Sequence, residues 1–349
     1  MSEIARGAPL PLRRSALLLL RSCSIRFAAY YWVGYAVGMA AVERLTPATA
    51  LLGVPMWLAC CLGTESVNRL ADREADVLNR PERTALCEEF GWRRLAVVAW
   101  LSWACFLLMG LVLFLTGPTA ALPVMLLVDV ALAVGYSIGP ALKRHPVLAP
   151  LMLITPLVNP MLTGWATEAD PDTLWSPVLP AAAVLAAFTL GLSGIKDITD
   201  VEGDRRLGYS SLWLSLMRLW RGTAVYVLTG APFALLTVFA LTGALPMTAL
   251  TLLPAVVVSV LVVSVAGRAV RTADREAARE VMHQYTFYFL LLVLLVAVPG
   301  APTVWAVAAA VCHWLAASRT LHWSDGLTPE RMRRWTALVA PSHRSKEFS

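Results

Sequence analysis

Asn68-Arg69-Leu70-Ala71-Asp72-Arg73-Glu74-Ala75-Asp76, with Asn79-Arg80-Pro81-Glu82-Arg83 close behind it, stands directly after a long apolar run. A second acidic stretch, Lys196-Asp197-Ile198-Thr199-Asp200-Val201-Glu202-Gly203-Asp204-Arg205-Arg206, also follows one. On a helix, spacings of four place Asn68, Asp72 and Asp76 along one slowly drifting stripe, and spacings of three and four do the same for Asp197, Asp200 and Asp204. Each stripe is expected to present a row of oxygens to one side. Carboxylates this close repel one another unless a hard divalent cation such as Mg2+ sits between them and a phosphate-bearing ligand. Two rows therefore point to two metals and one diphosphate.

Composition sets these rows in a membrane. Of 349 residues, 58% are hydrophobic and only 15% charged, and the mean hydropathy is +0.65. That is too apolar for a soluble domain of this size and reads as a polytopic membrane protein. The formal charge of +6 does not argue for nucleic acid, because the basic residues are scattered among short loops, as membrane topology requires. Runs able to cross about 30 Å of hydrocarbon at about 1.5 Å per residue lie near 26–43, 48–67, 94–116, 119–138, 147–165, 177–195, 222–243 and 247–266. A ninth begins near Tyr285, and Pro299-Gly300-Ala301-Pro302 separates it from a last apolar run at 303–318. The fold class is all-α, a polytopic membrane helical bundle of nine or ten transmembrane helices, the last run being either a full span or a re-entrant piece.

With the N-terminus inside and ten spans, all 29 Lys and Arg residues except Arg44 fall on the inner side or at its boundary. Both termini are then cytoplasmic, and both acidic clusters face the compartment that supplies soluble diphosphates and Mg2+. The chain divides into a cytoplasmic N-terminal segment (1–25), a transmembrane domain (26–318) and a basic cytoplasmic tail (319–349). The apolar run between Arg14 and Arg21 is too short for a signal-peptide core, so no cleavage is expected and a short interfacial helix is the reading. Only three of the basic residues are lysines, a bias that suggests a GC-rich bacterial source. Arg271, Arg275 and Arg279 stack at spacings of four, a basic face for anionic lipid or, alternatively, a lid over the acidic clusters. The six cysteines form no C-x-x-C pair and the five histidines have no ligand spacing, so a zinc site is not expected.

Basic partners accompany the carboxylates: Arg80 and Arg83 after the first row, Lys196, Arg205 and Arg206 flanking the second, and Lys143 in the inner loop between them. Metal-bridged phosphates need this mixture, carboxylates for the cations and Arg or Lys for the phosphoryl oxygens. Asp129 lies two turns before Tyr136 on roughly the same face. Burying it in lipid would cost about 2.5–3.5 kcal/mol, so it is expected to face a cavity or a partner, either as a base or cation-steadying carboxylate or as a hydrogen-bonded interhelical residue.

Asn68-x-x-x-Asp72-x-x-x-Asp76 with Asn79-Arg80-Pro81-x-Arg83 resembles the first signature of the UbiA superfamily of intramembrane prenyltransferases. Asp197-x-x-Asp200-x-x-Gly203-Asp204-Arg205-x-x-Gly208 resembles its second, and Tyr136-Ser137-x-Gly139-Pro140-x-x-Lys143 is similar to the element between them. The resemblance covers about residues 20–300. It implies a bundle around a central cavity, open sideways to lipid, holding Mg2+ and an isoprenyl diphosphate. Asn68, Asp72, Asp76, Asp197 and Asp200 would face the metal, with Asp204 in support. Arg80, Arg83, Lys143, Lys196 and Arg205 would hold the diphosphate, and Tyr136 would contact the allylic carbon or the leaving oxygen. The implied activity is Mg2+-dependent prenyl transfer to an aromatic or other lipophilic acceptor, the alternative being a UbiA-type terpene cyclase that needs no acceptor. The sequence departs from the family at Arg83-Thr84, where Arg-Pro is common, and at Arg21-Ser22-Cys23-Ser24-Ile25-Arg26, where Arg-Pro usually precedes the first span; the second change touches the acceptor region.

Overall fold

The computed structural model describes residues 11–117, 119–145, 148–168, 176–199, 206, 223–272, 275–323, 329–330, 333–334 and 337. Among them the chain is helical throughout, with no strand. Helix α1 (Leu12–Ser22) leads through a short 3-10 turn into α2 (Ala28–Ala41). Helix α3 (Pro47–Ala71) starts with a reciprocal cap in which Thr49 N donates to Thr46 Oγ1 at 3.2 Å and Thr46 N to Thr49 Oγ1 at 2.8 Å, with proline in its first turn. It gives way to α4 (Arg73–Asn79) and α5 (Pro81–Phe90). Arg80, the residue before Pro81, takes φ −147° and ψ 62°, out of helical space as pre-proline sterics demand, and Gly91 at φ +100° ends α5.

The chain then returns as α6 (Trp92–Thr116) and α7 (Ala121–Ser137), followed by α8 (Leu148–Met152) and α9 (Thr155–Trp165). The single fifth run expected at 147–165 is thus broken in two, because Pro156 offers no N–H to the preceding turn. Helices α10 (Val178–Lys196), α11 (Thr223–Leu241), α12 (Ala255–Thr272), α13 (Arg275–Ala297) and α14 (Ala301–Thr320) complete the described bundle. Among the described residues five helical segments are long and apolar enough to cross a membrane, α14 among them, and shorter apolar helices accompany them. The last apolar run is therefore one unbroken helix of 20 residues. Exposed Val97, Trp100, Leu101, Leu108 and Leu115 give α6 an apolar outer face suited to lipid.

Packing draws α2 into the centre of the bundle, where all but its last residues are buried. It crosses α9 so closely that a Cβ at Gly38 would strike the Met161 carbonyl and one at Gly164 the Tyr35 carbonyl. Backbone contact of this kind is how membrane helices gain dispersion energy without a hydrophobic driving force between them. Helix α3 lies along α6 through Trp57 and Phe106, edge to face with ring centres 5.4 Å apart. Phe188 of α10 stacks on Phe289 of α13 at 3.9 Å. Outside this bundle, α1 docks on α5 through Leu18, Cys23, Cys87 and Phe90. Burial pushes the Cys23 thiol up to about 12 and the Cys87 thiol up to about 11, so both pack as neutral groups.

Candidate active site

Asp72 sits at the joint between α3 and α4, with φ −94° and ψ 8°. The i to i−4 backbone bonds nevertheless run through the joint, from Asp72 N to Asn68 O at 2.9 Å, Asp76 N to Asp72 O at 2.8 Å and Arg80 N to Asp76 O at 2.8 Å. The side chains of Asn68, Asp72 and Asp76 all line one cavity, with different partners. Asn68 Oδ1 accepts from Ser137 Oγ at 3.0 Å and from Lys143 Nζ at 3.1 Å, and the same ammonium pairs with Asp72 Oδ1. Asp76 has partners of its own. It is 5% exposed, and both its oxygens accept from Arg83 Nη2, at 2.6 and 2.5 Å, with Arg69 Nη1 at 3.8 Å and Arg80 Nη1 at 3.9 Å. The kink at Asp72 divides the row, and a carboxylate buried this deeply needs cations around it.

Lys143 reaches this position because the chain reverses tightly after α7. Gly139 at φ +68° and Ala141 at φ +46° hold left-handed backbone in that turn, which brings Ser137, the last residue of α7, and Lys143 to the same asparagine.

One cavity of about 280 Å3 joins these groups. Asn68, Asp72, Asp76, Arg80, Arg83, Tyr136 and Lys143 line it at one end, and Asp129 lines it further along α7. Asp129 is buried and accepts from Thr163 Oγ1 at 3.1 Å. Leu132, Leu157, Pro160 and Leu192 give the cavity apolar walls. Arg80 Nη2 reaches Thr199 Oγ1 at 3.4 Å, linking the first acidic stretch to the start of the second. Of that second stretch, the side chains of Lys196 and Asp197, and Asp200, Asp204 and Arg205 entirely, lie outside the described residues.

Several wall residues are not evident from the motifs. Arg69, inside the quoted stretch, is buried and bonds Glu65 Oε2 at 3.0 Å; the Glu-to-Arg spacing of four was its available signal. Of the two alternatives for the basic face that includes Arg279, lipid or the acidic clusters, Arg279 meets the second: it is 8% exposed and lines the cavity, with Ala277 and Ala278 of α13 also buried. Arg26 also lines the cavity and forms a buried fork with Glu280, at 2.5 and 2.7 Å. His322 and Trp323, at the start of the segment read as a tail, are buried in the cavity wall.

The chemistry of the donor set suits Mg2+. Asn68 Oδ1 and Asp72 Oδ1 already converge on one cationic group, and amide and carboxylate oxygens are the hard donors this ion takes. Among the described residues no three His, Cys, Asp or Glu side chains gather into a metal-sized cluster, so the described residues supply only part of the donor set. That part fits the ion.

Fold and site together define a multi-pass helical membrane protein with a charge-lined cavity that continues into an apolar one. The sequence model of the UbiA prenyltransferase family matches residues 29–287, and the chain belongs to that family of prenyltransferases. It is similar to homogentisate phytyltransferase of Synechocystis sp. (strain ATCC 27184 / PCC 6803 / Kazusa), 29% identical over 215 residues that cover 58% of this chain and 67% of that protein. It is also similar to naringenin 8-dimethylallyltransferase 2, chloroplastic, of Sophora flavescens, 23% identical over 55% of this chain and 53% of that protein. The chain thus spans about two thirds of one curated relative's length and about half of the other's. In fold it resembles a UbiA homologue from Archaeoglobus fulgidus solved with GPP and Mg2+, with a TM-score of 0.52 at 17% identity over 87% of this chain and 98% of that one. A digeranylgeranylglyceryl phosphate synthase gives a TM-score of 0.56 at 14% identity, covering 86% of this chain and 99% of that one.

Proposed function

We propose that this prenyltransferase moves a prenyl group from an isoprenyl diphosphate to an aromatic or other lipophilic acceptor inside the bilayer, in an Mg2+-dependent reaction that releases diphosphate. The observation that carries this reading is the single cavity running from the Asn68, Asp72 and Lys143 cluster past Tyr136 to Asp129 and apolar walls. One end suits a diphosphate and the other a hydrocarbon chain. The relatives named for homogentisate and naringenin, both aromatic compounds, support an aromatic acceptor. The same reading places both termini in the cytoplasm of a bacterial cell.

In this reading Asn68, Asp72, Asp76, Asp197 and Asp200 would hold two Mg2+ ions, whose positive charge would stabilise the departing diphosphate. Arg80, Arg83, Lys196 and Arg205 neutralise phosphoryl oxygens, with Asp204 supporting the second stretch. Lys143 exchanges its Asp72 partner for a phosphoryl oxygen as the donor enters. Asp76 holds Arg83 in register through its two short bonds and so positions a cation as well as facing the metal. Tyr136 meets the allylic carbon or the bridging oxygen. Loss of that C–O bond leaves a cation that the apolar walls shelter from water until the acceptor takes it.

Lys143 and Asp129 separate the two halves of this chemistry. Asp129 lies about 10 Å from Tyr136 by helical rise, too far along α7 to share the diphosphate. Lys143→Ala is expected to weaken donor binding and slow diphosphate release for every prenyl donor alike, by about 10²-fold or more. Asp129→Asn is expected to preserve release but change how the cation is consumed, seen by chromatography as lost coupling or a new product mixture. Unchanged products with Asp129→Asn would make its bond to Thr163 purely structural and remove the support it lends to the cyclase alternative.

A further inference from the structure

Residues from both sides of the family-matched region, which spans 29–287, line the cavity. From the N-terminal side come Ser24, Arg26 and Phe27; from the C-terminal side, beyond α14, come His322 and Trp323. The two are tied to each other and to the first acidic stretch. Arg21 Nε, in the last turn of α1, donates to the His322 carbonyl at 3.3 Å. The Arg83 guanidinium stands 5.8 Å from the centre of the Trp323 ring, and the His322 and Trp323 rings lie 5.5 Å apart. Arg14 pairs with Glu89 at 2.5 Å, holding α1 against α5, the helix that carries Arg83.

Trp323 is 9% exposed and His322 4%. An indole belongs here for two reasons. Its π face accepts a guanidinium whose own hydrogen bonds go to Asp76, and its large apolar edge covers charged groups that bulk water would otherwise reach. Trp323 follows closely on the end of α14 and lines the cavity beside Arg83, where an ionised donor would be held.

We infer that Trp323, seated by the Arg21 to His322 contact, is the specificity-determining wall that keeps water from the allylic cation and so reserves it for the acceptor. This rests on the prenyl-transfer reading above. The side reaction it suppresses is hydrolysis: the allylic C–O bond breaks, a water oxygen bonds to that carbon, its proton passes to solvent or diphosphate, and prenyl alcohol and diphosphate result. With the wall in place and no acceptor present, the ion pair collapses back to donor.

The test uses full-length protein in nanodiscs with Mg2+ and geranyl diphosphate carrying 18O in the bridging position, without acceptor. Ionisation and return scramble the label into non-bridging positions, and escape to water yields geraniol. Trp323→Ala is expected to raise the ratio of geraniol formed to label scrambled by at least about fivefold over the unaltered protein, with Trp323→Phe recovering most of the difference. Adding Asp72→Ala should abolish both signals, placing them in this cavity. If Trp323→Ala is not recovered folded, Trp323→Leu, which keeps apolar bulk but removes the ring, is read by the same ratio. Scrambling with an unchanged ratio, or a loss of both signals in the Trp323 variants alone, would overturn the wall and leave prenyl transfer standing. Neither scrambling nor the corresponding prenyl alcohol from the unaltered protein with geranyl, dimethylallyl or geranylgeranyl diphosphate would overturn both.

Discussion

Asp72→Ala is expected to lower Mg2+-dependent diphosphate release by about 10²- to 10³-fold, the scale seen when one charge-stabilising group is removed from a water-poor site. The protein should still fold. The Asp72 side chain is 24% exposed and sits at a helix joint, and Lys143 keeps its bond to Asn68 when the carboxylate is gone. Asp76→Ala should behave differently. It would leave Arg83, only 2% exposed, without its two short bonds, and Arg69 and Arg80 without the nearby carboxylate. Removing one partner of a buried pair costs about 3–5 kcal/mol, so the yield of monodisperse protein should fall along with activity. Size-exclusion profiles and diphosphate release measured on the same preparations separate the two outcomes. Equal loss of folded protein in both variants would contradict the division of the acidic row at Asp72.

Glu280→Gln is expected to destabilise the bundle by about 3–5 kcal/mol, because Arg26 would keep its charge with its counter-ion gone. The pair is buried on both sides, at 3% and 4% exposure. Around it, Gln284 donates to Glu280 Oε1 at 2.8 Å and accepts from Trp314 Nε1 at 2.7 Å, tying α13 to α14. The Arg26 guanidinium also stands 5.0 Å from the Trp314 ring. Thermal unfolding followed by helical circular dichroism should show an earlier midpoint for Glu280→Gln. Replacing both partners together, as Arg26→Met with Glu280→Leu, should recover most of the loss, since a well-packed apolar pair carries no desolvation penalty. A double variant no more stable than Glu280→Gln would mean that the pair's geometry, and not the orphaned charge, holds α2 against α13.

The parts of this molecule that were legible from sequence are those governed by local periodicity. Apolar runs long enough for the bilayer gave the helices, and residues at spacings of four gave Asn68, Asp72 and Asp76, which line one cavity. Lys143 was legible as a cation near the first stretch, but its bond to Asn68 depends on the left-handed turn at Gly139 and Ala141. Other features depend on contacts that no short window encodes. The kink at Asp72 occurs without proline or glycine at that position, and the helix pattern alone predicts a continuous row. Arg26 and Glu280 are 254 residues apart in sequence and meet only when α2 and α13 pack. The spacing of Arg279 fits either a lipid-facing basic face or a cover over the acidic clusters, and its burial is decided by which side of α13 the bundle covers. His322 and Trp323 carry no motif and become wall residues only through the turn that follows α14.

The central claim is that the charged end of the cavity ionises a prenyl diphosphate with the help of Mg2+, and it is tested most directly on the unaltered protein. Purified protein in lipid is supplied with radiolabelled dimethylallyl, geranyl or geranylgeranyl diphosphate and an aromatic acceptor such as homogentisate, first with Mg2+, then with excess EDTA, then with Mg2+ restored. Diphosphate release and labelled lipophilic product are expected with at least one donor in Mg2+, to vanish in EDTA and to return on re-addition. Release that continues unchanged in EDTA, or no release from any donor in Mg2+, would contradict it.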